Sequence, residues 1–329
     1  MKKELLRQLL LIFGIVTLMI VGYNINLIYL PTPVDEVLLT IEQGESAHSI
    51  ASKLLNRGVI QSDLLFYAYV RLRGVQGSLD YGTYLFDGNL SMANVVETIQ
   101  RGKVKLNRIT IPEGLTIAKT SRLLAKKHFG QFTTFYTLAY DTTFVRLCTG
   151  LDVPSLEGFL FPETYFFPDG ASEEFILKHM TREFFIQTAP LNFKPGQILS
   201  FYETITLASI VEREARVEEE KPIIASVYLN RIEDDQLLQA CPTVAYTLEQ
   251  MGKSRTEIYY RDLKVDSPYN TYKYPGLPPT PICSPAKSTI AAVLHPAKTD
   301  YFFFFANNGR HIFSQTYDQH LAKQRSINH

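Results

Sequence analysis

The sequence predicts an α+β chain in three parts: one N-terminal membrane-crossing helix, a small α/β region, and a larger mixed α+β domain. Three observations carry this. No charged residue occurs between Gln8 and Val34. Up to about residue 130, strand-length apolar runs alternate with Gly turns and helical patterns. After about Thr133 the texture changes to longer helical stretches divided by segments rich in Pro and aromatic residues.

The first part is the uncharged run. Leu9 to Tyr23 is almost wholly apolar, and Asn24 and Asn26 interrupt the apolar residues beyond it. A spanning helix needs about 20 residues. The run supplies them over 9–30 if the asparagines lie near one interface. Lys2, Lys3 and Arg7 precede it, and the next Lys or Arg is Lys53. The positive-inside rule then puts 1–8 in the cytoplasm and the rest of the chain outside. A cleaved signal peptide is the alternative. Val21-Gly22-Tyr23-Asn24 lacks a clear small-x-small cleavage site, which favours an uncleaved anchor.

In the second part, 36–130, Val37 to Ile41 is strand-like, and Gln43-Gly44-Glu45-Ser46 turns into a helix over Ala47 to Leu55. Gly58 closes that helix in the C′ position. A second helix is expected around Ser62 to Arg73, a strand over Tyr81 to Phe86, and a helix from Met92 to Arg101. The strand, turn and helix then recur. Thr40, Ile41, Gly44 and Leu54 match Thr110, Ile111, Gly114 and Leu124, with a helix over Ile117 to Lys127.

In the third part, 131–329, Glu157 to Pro168 holds too many prolines for a helix interior. Helices are expected at Ser172 to Thr188, Gly196 to Glu219, Pro222 to Ile232 and Ser284 to Leu294, with a short one after Leu237 to Val244. Pro275 to Ile282 cannot be regular helix. Tyr301 to Phe305 reads as a buried core strand, because every position is apolar. Asn307-Asn308-Gly309-Arg310 has hairpin chemistry, His311 to Ser314 is the returning strand, and a closing helix starts near Thr316.

One position stands out for chemistry. Leu207, Ile210 and Val211 form a helical apolar stripe, and the next position on it is Glu214. A carboxyl group on a core-facing stripe costs free energy unless it is paired or kept protonated. Burial raises a Glu pKa above its usual value of about 4.3, which suits a proton donor near neutral pH. The same position also suits a boundary residue whose head reaches water, or one paired with a buried Arg. Glu212 points roughly 200° around the helix, toward solvent or a rim.

Composition narrows the classes. With 329 residues, 46% hydrophobic, the chain can build two or three domains. A formal net charge of zero argues against a general nucleic-acid binder. Cys148, Cys241 and Cys283 are odd in number and far apart, so no disulfide framework is implied, and no metal-ligand spacing occurs. No cofactor or metal is expected.

Several motifs occur in an order that resembles one family. They are Glu157-Gly158-Phe159-Leu160-Phe161-Pro162-Glu163-Thr164-Tyr165, Ala208-Ser209-Ile210-Val211-Glu212-Arg213-Glu214, and Ala225-Ser226-Val227-Tyr228-Leu229-Asn230-Arg231. Tyr269-Asn270-Thr271-Tyr272, Gly276-Leu277-Pro278-Pro279 and His295-Pro296-Ala297-Lys298 complete the set. Nearly the whole chain is similar to the YceG-like endolytic murein transglycosylases. The 36–130 region also resembles the LysM module, a small binder of N-acetylglucosamine polymers. The resemblance implies cleavage of glycan strands in nascent peptidoglycan at the outer face of the bacterial cytoplasmic (inner) membrane, by a periplasmic catalytic domain. Cell-wall synthesis proteins are implied as partners.

The family's catalytic glutamate falls on Glu214, with Glu212 as the fallback. Gln239, Asn270, Thr271 and Tyr272 lie beside Pro-rich backbone and suit sugar rings and N-acetyl groups; turn-stabilising roles fit each of them as well. Glu157 and Glu163 are candidate second carboxylates, with capping or bracing of the Pro-rich loop the favoured role, and Glu157 is also expected to bind substrate. Where the family pattern usually has Asp before Pro-Thr-Val, this chain has Cys241. A lytic transglycosylase manages with one carboxyl group: it protonates the glycosidic oxygen, then removes the proton of the muramic acid C6 hydroxyl, leaving a 1,6-anhydro end. The competing readings are a non-catalytic, membrane-tethered peptidoglycan-binding scaffold and an ordinary muramidase with two carboxylates.

Overall fold

The computed structural model describes residues 2–102, 106–193, 198–253 and 257–327. Helix α1 (Lys2–Tyr29) opens the chain, and its segment Leu10–Tyr29, 20 residues, is long and apolar enough to cross a membrane. At about 1.5 Å per residue it matches a hydrocarbon core of about 30 Å. Phe13, Leu18 and Tyr23 on it are exposed. Two of its polar side chains bond back into the helix: Thr17 Oγ1 donates to Phe13 O at 2.8 Å and Asn24 Nδ2 to Ile20 O at 2.7 Å. Such bonds satisfy polar groups that an apolar surrounding would leave unpaired.

The chain divides into two compact units: residues 1–107 with 167–169, and 108–166 with 170–329. In the first, β1 (Thr32–Ile41), α2 (Ala47–Asn56), α3 (Asp63–Leu72), β2 (Gly82–Leu90) and α4 (Met92–Arg101) follow one another. Strands β1 and β2 pair antiparallel, Leu39 opposite Tyr84 and Val37 opposite Phe86. Ser46, Ser62 and Ser91 cap the three helices, each accepting a backbone N–H that the helix start leaves free. Ile50, Leu54, Phe66, Val70, Phe86 and Val95 fill the core.

Strand β3 (Leu106–Thr110) pairs with β4 (Thr164–Pro168). Between them run α5 (Ile117–Lys126), α6 (Phe132–Tyr140) and α7 (Thr142–Thr149), and α8 (Glu173–Thr188) comes next. The expected recurrence of strand, turn and helix has a physical counterpart. Gly44 and Gly114 both take positive φ, 81° and 75°. Two residues on, Ser46 and Thr116 each cap a helix. The second copy lies in the second unit.

The second unit is built around α9 (Phe201–Glu214), which Ser200 and Glu203 start with reciprocal hydrogen bonds. The sequence pattern predicts one apolar stripe on this helix. Instead every residue from Thr204 to Val211 is buried, so α9 is a core helix enclosed on all sides. It ends at Glu214, and Ala215 is extended. The expected continuation to Glu219 is broken there, and the expected start at Gly196 lies outside the described residues.

Helices α10 (Lys221–Glu233), α11 (Cys241–Gln250) and α12 (Lys287–Leu294) pack with α9 around Phe159, Ile205, Ile224, Tyr228 and Ile290. The hairpin β5 (Phe303–Asn307) and β6 (Arg310–Ser314) and a final helix α13 (Tyr317–Ile327) complete the described chain. Asn307 pairs with Arg310, and Asn308 and Gly309 both have positive φ, as a two-residue primed turn requires. Tyr301 to Phe305 are half-buried, not the buried core strand expected.

Candidate active site

The ladder of buried residues along α9 stops one turn short of its end, and the last helical residue is Glu214. Its carboxyl opens on a groove of about 620 Å³. The end of α9 supplies Arg213 and Glu214 to the groove, and Arg216 lies just beyond; Cys241 comes from the start of α11. The hairpin contributes Phe304, Phe305 and His311. Burial pushes the Glu214 pKa up to about 7, with Arg216 pulling the other way. The unpaired carbonyls at a helix C-terminus also disfavour a negative charge there. Among the described residues no donor bonds the Glu214 carboxyl.

The hairpin is held in place by the Ala225–Arg231 stretch of α10. Asn230 Nδ2 donates to Thr299 O at 2.8 Å and Tyr301 O at 2.9 Å. Arg231 Nε donates to Phe302 O at 2.7 Å, and its Nη1 to Leu238 O at 2.7 Å. Tyr228, on the same helix, packs edge-on against Phe304 with ring centroids 5.8 Å apart. Burial drives its hydroxyl pKa far up, with the Glu214 charge adding to the effect.

Glu212 departs from expectation. Its side chain is 6% exposed and does not face solvent or a rim. Oε2 accepts the backbone N–H of Ala286 at 2.8 Å and the Thr289 hydroxyl, and Oε1 lies 3.6 Å from Lys221 Nζ. It caps the start of α12. A helix beginning at Lys287 with no side-chain cap of its own needs an acceptor there, and α9 delivers one.

Glu157 is also enclosed, at 1% exposure. It accepts the N–H of Ile117, the first residue of α5, at 3.0 Å, and the Tyr246 hydroxyl at 3.2 Å. Burial pushes its pKa up to about 8 against those two hydrogen bonds. It is not among the residues lining the groove of Glu214. Glu163 accepts the N–H of Thr164 at 2.8 Å and lies beside β4.

The polar loop residues are brought together, with their side chains used differently. Gln239 is exposed, with positive φ, and its N–H donates to Thr271 O at 3.0 Å. Thr271 is buried and accepts the Ala240 N–H on Oγ1 at 2.9 Å. Asn270 is buried, and its amide donates to Leu263 O and Val265 O at 2.9 and 2.7 Å. Both therefore brace the loops. Tyr272 reaches the groove edge, where its hydroxyl lies 3.0 Å from Cys241 Sγ. Burial raises the Cys241 thiol pKa, the Tyr272 hydrogen bond opposes this, and the Glu214 charge adds to the rise.

A model of the YceG-like family matches residues 39–326. The chain belongs to the YceG-like family. It is 32% identical over 311 residues to the endolytic murein transglycosylase of Bacillus subtilis (strain 168), across 88% of this chain and 85% of that protein. It is 27% identical to the endolytic murein transglycosylase of Streptococcus pneumoniae serotype 2, covering 86% of this chain but 57% of that longer protein. A crystal structure of a YceG-like protein from Listeria monocytogenes superposes with a TM-score of 0.59 at 31% identity, over 88% of this chain and 98% of that one.

Several groups in this YceG-like groove were not singled out by sequence: Arg213, Arg216, Glu257, Tyr259 and His311. Arg213 and Arg216 flank the glutamate in the chain, and that adjacency was the available signal. His311 stands between Arg310 and Ile312 on the returning strand and so reads as an ordinary hairpin position. The run Tyr301 to Phe305 reads as core from its composition, yet Phe304 and Phe305 form part of the groove wall. No group of His, Cys, Asp or Glu able to hold a metal occurs among the described residues.

Proposed function

We propose that this chain is a membrane-anchored endolytic lytic transglycosylase. It cleaves the bond between N-acetylmuramic acid and N-acetylglucosamine in peptidoglycan strands and leaves 1,6-anhydro ends. The observation that carries the reading is Glu214: a carboxyl with no donor among the described residues, at the end of a buried helix, with a pKa of about 7, facing an open groove. The names of the relatives supply the substrate class.

In the proposed reaction, protonated Glu214 donates to the glycosidic oxygen as the bond to C1 breaks. The muramic acid C6 hydroxyl forms the new bond to C1. In the simplest scheme the Glu214 carboxylate recovers that hydroxyl's proton. Arg213 and Arg216 beside it suit the carboxylates that peptide stems carry. Tyr272 and Gln239 at the neighbouring loops suit N-acetyl groups and ring hydroxyls, with Asn270, Thr271 and Glu157 supporting from behind.

The test is to incubate the full chain with purified glycan strands and resolve the products by mass spectrometry. Anhydro ends that vanish in Glu214→Gln support the reading; a fully active Gln variant ends it. A muramidase is the second reading, because Glu257 places another carboxylate on the same groove. It would leave reducing ends.

For the anchor, we assign residues 1–8 to the cytoplasm, 9–30 to the inner membrane and 131–329 to a periplasmic catalytic domain, on the charge asymmetry of Lys2, Lys3 and Arg7. Reporter fusions at both ends test this. We assign sugar binding to the LysM-like 36–130 region, supported by its recurring strand, turn and helix. Hydrogen-exchange protection there on adding chitooligosaccharide tests it.

A further inference from the structure

We propose that His311 is a second catalytic residue, whose Nε2 takes the proton from the sugar hydroxyl that closes the anhydro ring, and that Glu220 is the positioning residue behind it. This rests on the transglycosylase reading and moves the second proton transfer from Glu214 to the imidazole.

The geometry is that of an oriented base. Glu220 Oε2 lies 2.7 Å from His311 Nδ1, and Glu220 Oε1 accepts the backbone N–H of His311 at 3.0 Å. Both side chains are withdrawn from solvent, His311 at 3% and Glu220 at 8% exposure. A carboxylate can only accept, so Nδ1 carries a proton, and in the neutral tautomer this fixes, the lone pair is on Nε2. Among the described residues nothing bonds Nε2, and the residue lines the groove that holds Glu214. The ring is held edge-on against Phe304, with centroids 5.3 Å apart. A base oriented by a third group is the arrangement used to activate hydroxyl nucleophiles.

The placement comes from the fold. Glu220 immediately precedes α10, the helix whose Asn230 and Arg231 anchor the segment entering β5. The hairpin then returns His311 to the start of the same helix. The other charged groups facing this end of the groove are Arg213, Glu214, Arg216 and Glu257.

In the proposed step O6 bonds to C1 and the bond from C1 to the leaving oxygen breaks. Glu214 gives its proton to the leaving oxygen while His311 Nε2 accepts the one from O6. Proton exchange with solvent restores both groups. An acid and a base present together spare Glu214 from serving as both within one turnover.

The experiment uses the full chain in detergent on purified glycan strands, reading rate, anhydro-to-reducing-end ratio and thermal melting. His311→Ala is expected to lose about 10²-fold or more in rate, to shift products toward reducing ends, and to regain rate with added imidazole. Glu220→Gln must swap one hydrogen bond, which disfavours the tautomer with Nε2 free, and is expected to lower the rate at least tenfold. A folded His311→Ala that retains wild-type rate and wholly anhydro ends overturns the proposal. So does a slow variant with unchanged ends and no imidazole rescue. If His311→Ala does not fold, Glu220→Gln decides, and wild-type rate and ends in it overturn the proposal. Absence of anhydro ends from the wild-type chain would instead sink the transglycosylase reading itself.

Discussion

Glu212 and Glu214 lie two residues apart at the end of α9, and their carboxyl groups are held in opposite ways. Glu212 is tied to Ala286 N, Thr289 Oγ1 and Lys221 Nζ. Glu214 has no donor among the described residues, and its pKa is raised to about 7. The two substitutions should therefore separate. Glu214→Gln should melt within a degree or two of wild type and lose about 10²–10⁴ in rate. Glu212→Gln removes a charge from beside Lys221, whose side chain is 6% exposed, and should cost about 2–3 kcal/mol. Thermal melting and initial rates, measured side by side, check both. A stable but inactive Glu212 variant would reverse the assignment.

The acid role gives a pH limb. Glu214 must enter the cycle protonated, and its pKa lies at about 7 because burial outweighs Arg216. The rate per enzyme should therefore fall as pH rises through about 7, by about tenfold for each further unit. Arg216→Gln removes the opposing charge and should move that limb upward. Rates measured across pH 5 to 9 read the limb directly, and a limb that moves downward in the Arg216 variant would contradict the stated cause.

Much of this was legible in local patterns. The turn at Gly44 into α2, the close of α4 at Arg101 and the Asn308-Gly309 turn depend on residues within a few positions of one another. The sheltering of Glu214 was legible because it extended a helical stripe. Its neighbour Glu212 was misjudged, since nothing local shows that α12 arrives with an uncapped start. His311 was missed for the same reason. Its partner Glu220 is far away in sequence, and only packing brings a helix start and a hairpin together. The Tyr301 to Phe305 run reads as core from composition, but where a sheet edge meets a groove, apolar residues form the wall.

Glu157 couples the second unit's stability to pH. Its pKa rises from an ordinary 4.5 to about 8, burial outweighing the Ile117 and Tyr246 hydrogen bonds. The folded chain therefore holds a proton that the unfolded chain releases. Stability should fall as pH rises from about 4.5 to about 8 and then level off, by up to several kcal/mol. Glu157→Gln keeps the shape and removes the titration, so its melting temperature should vary less across that window. Calorimetry at pH 5 and pH 8 on both proteins measures the difference, and an identical slope would mean that Glu157 ionises in the fold at its ordinary value.

Gly158 shows how tightly this carboxyl is seated. Its φ is +90°, and a Cβ built there would lie 2.7 Å from Pro281 Cγ and 3.1 Å from Ile205 Cγ2. Neither neighbour is free to yield: Pro281 is a rigid ring, and Ile205 sits in the enclosed middle of α9. Gly158→Ala should therefore lose about 3 kcal/mol, from backbone strain and overpacking together. Because Glu157 is the adjacent residue, relief of the clash would pull its carboxyl from Ile117 N and loosen the start of α5. Urea unfolding should show a lowered midpoint, and hydrogen exchange should speed at Ile117. A midpoint equal to wild type would mean that the Pro-rich segment around Pro281 can shift and that the backbone at 158 can relax from its positive φ at no cost.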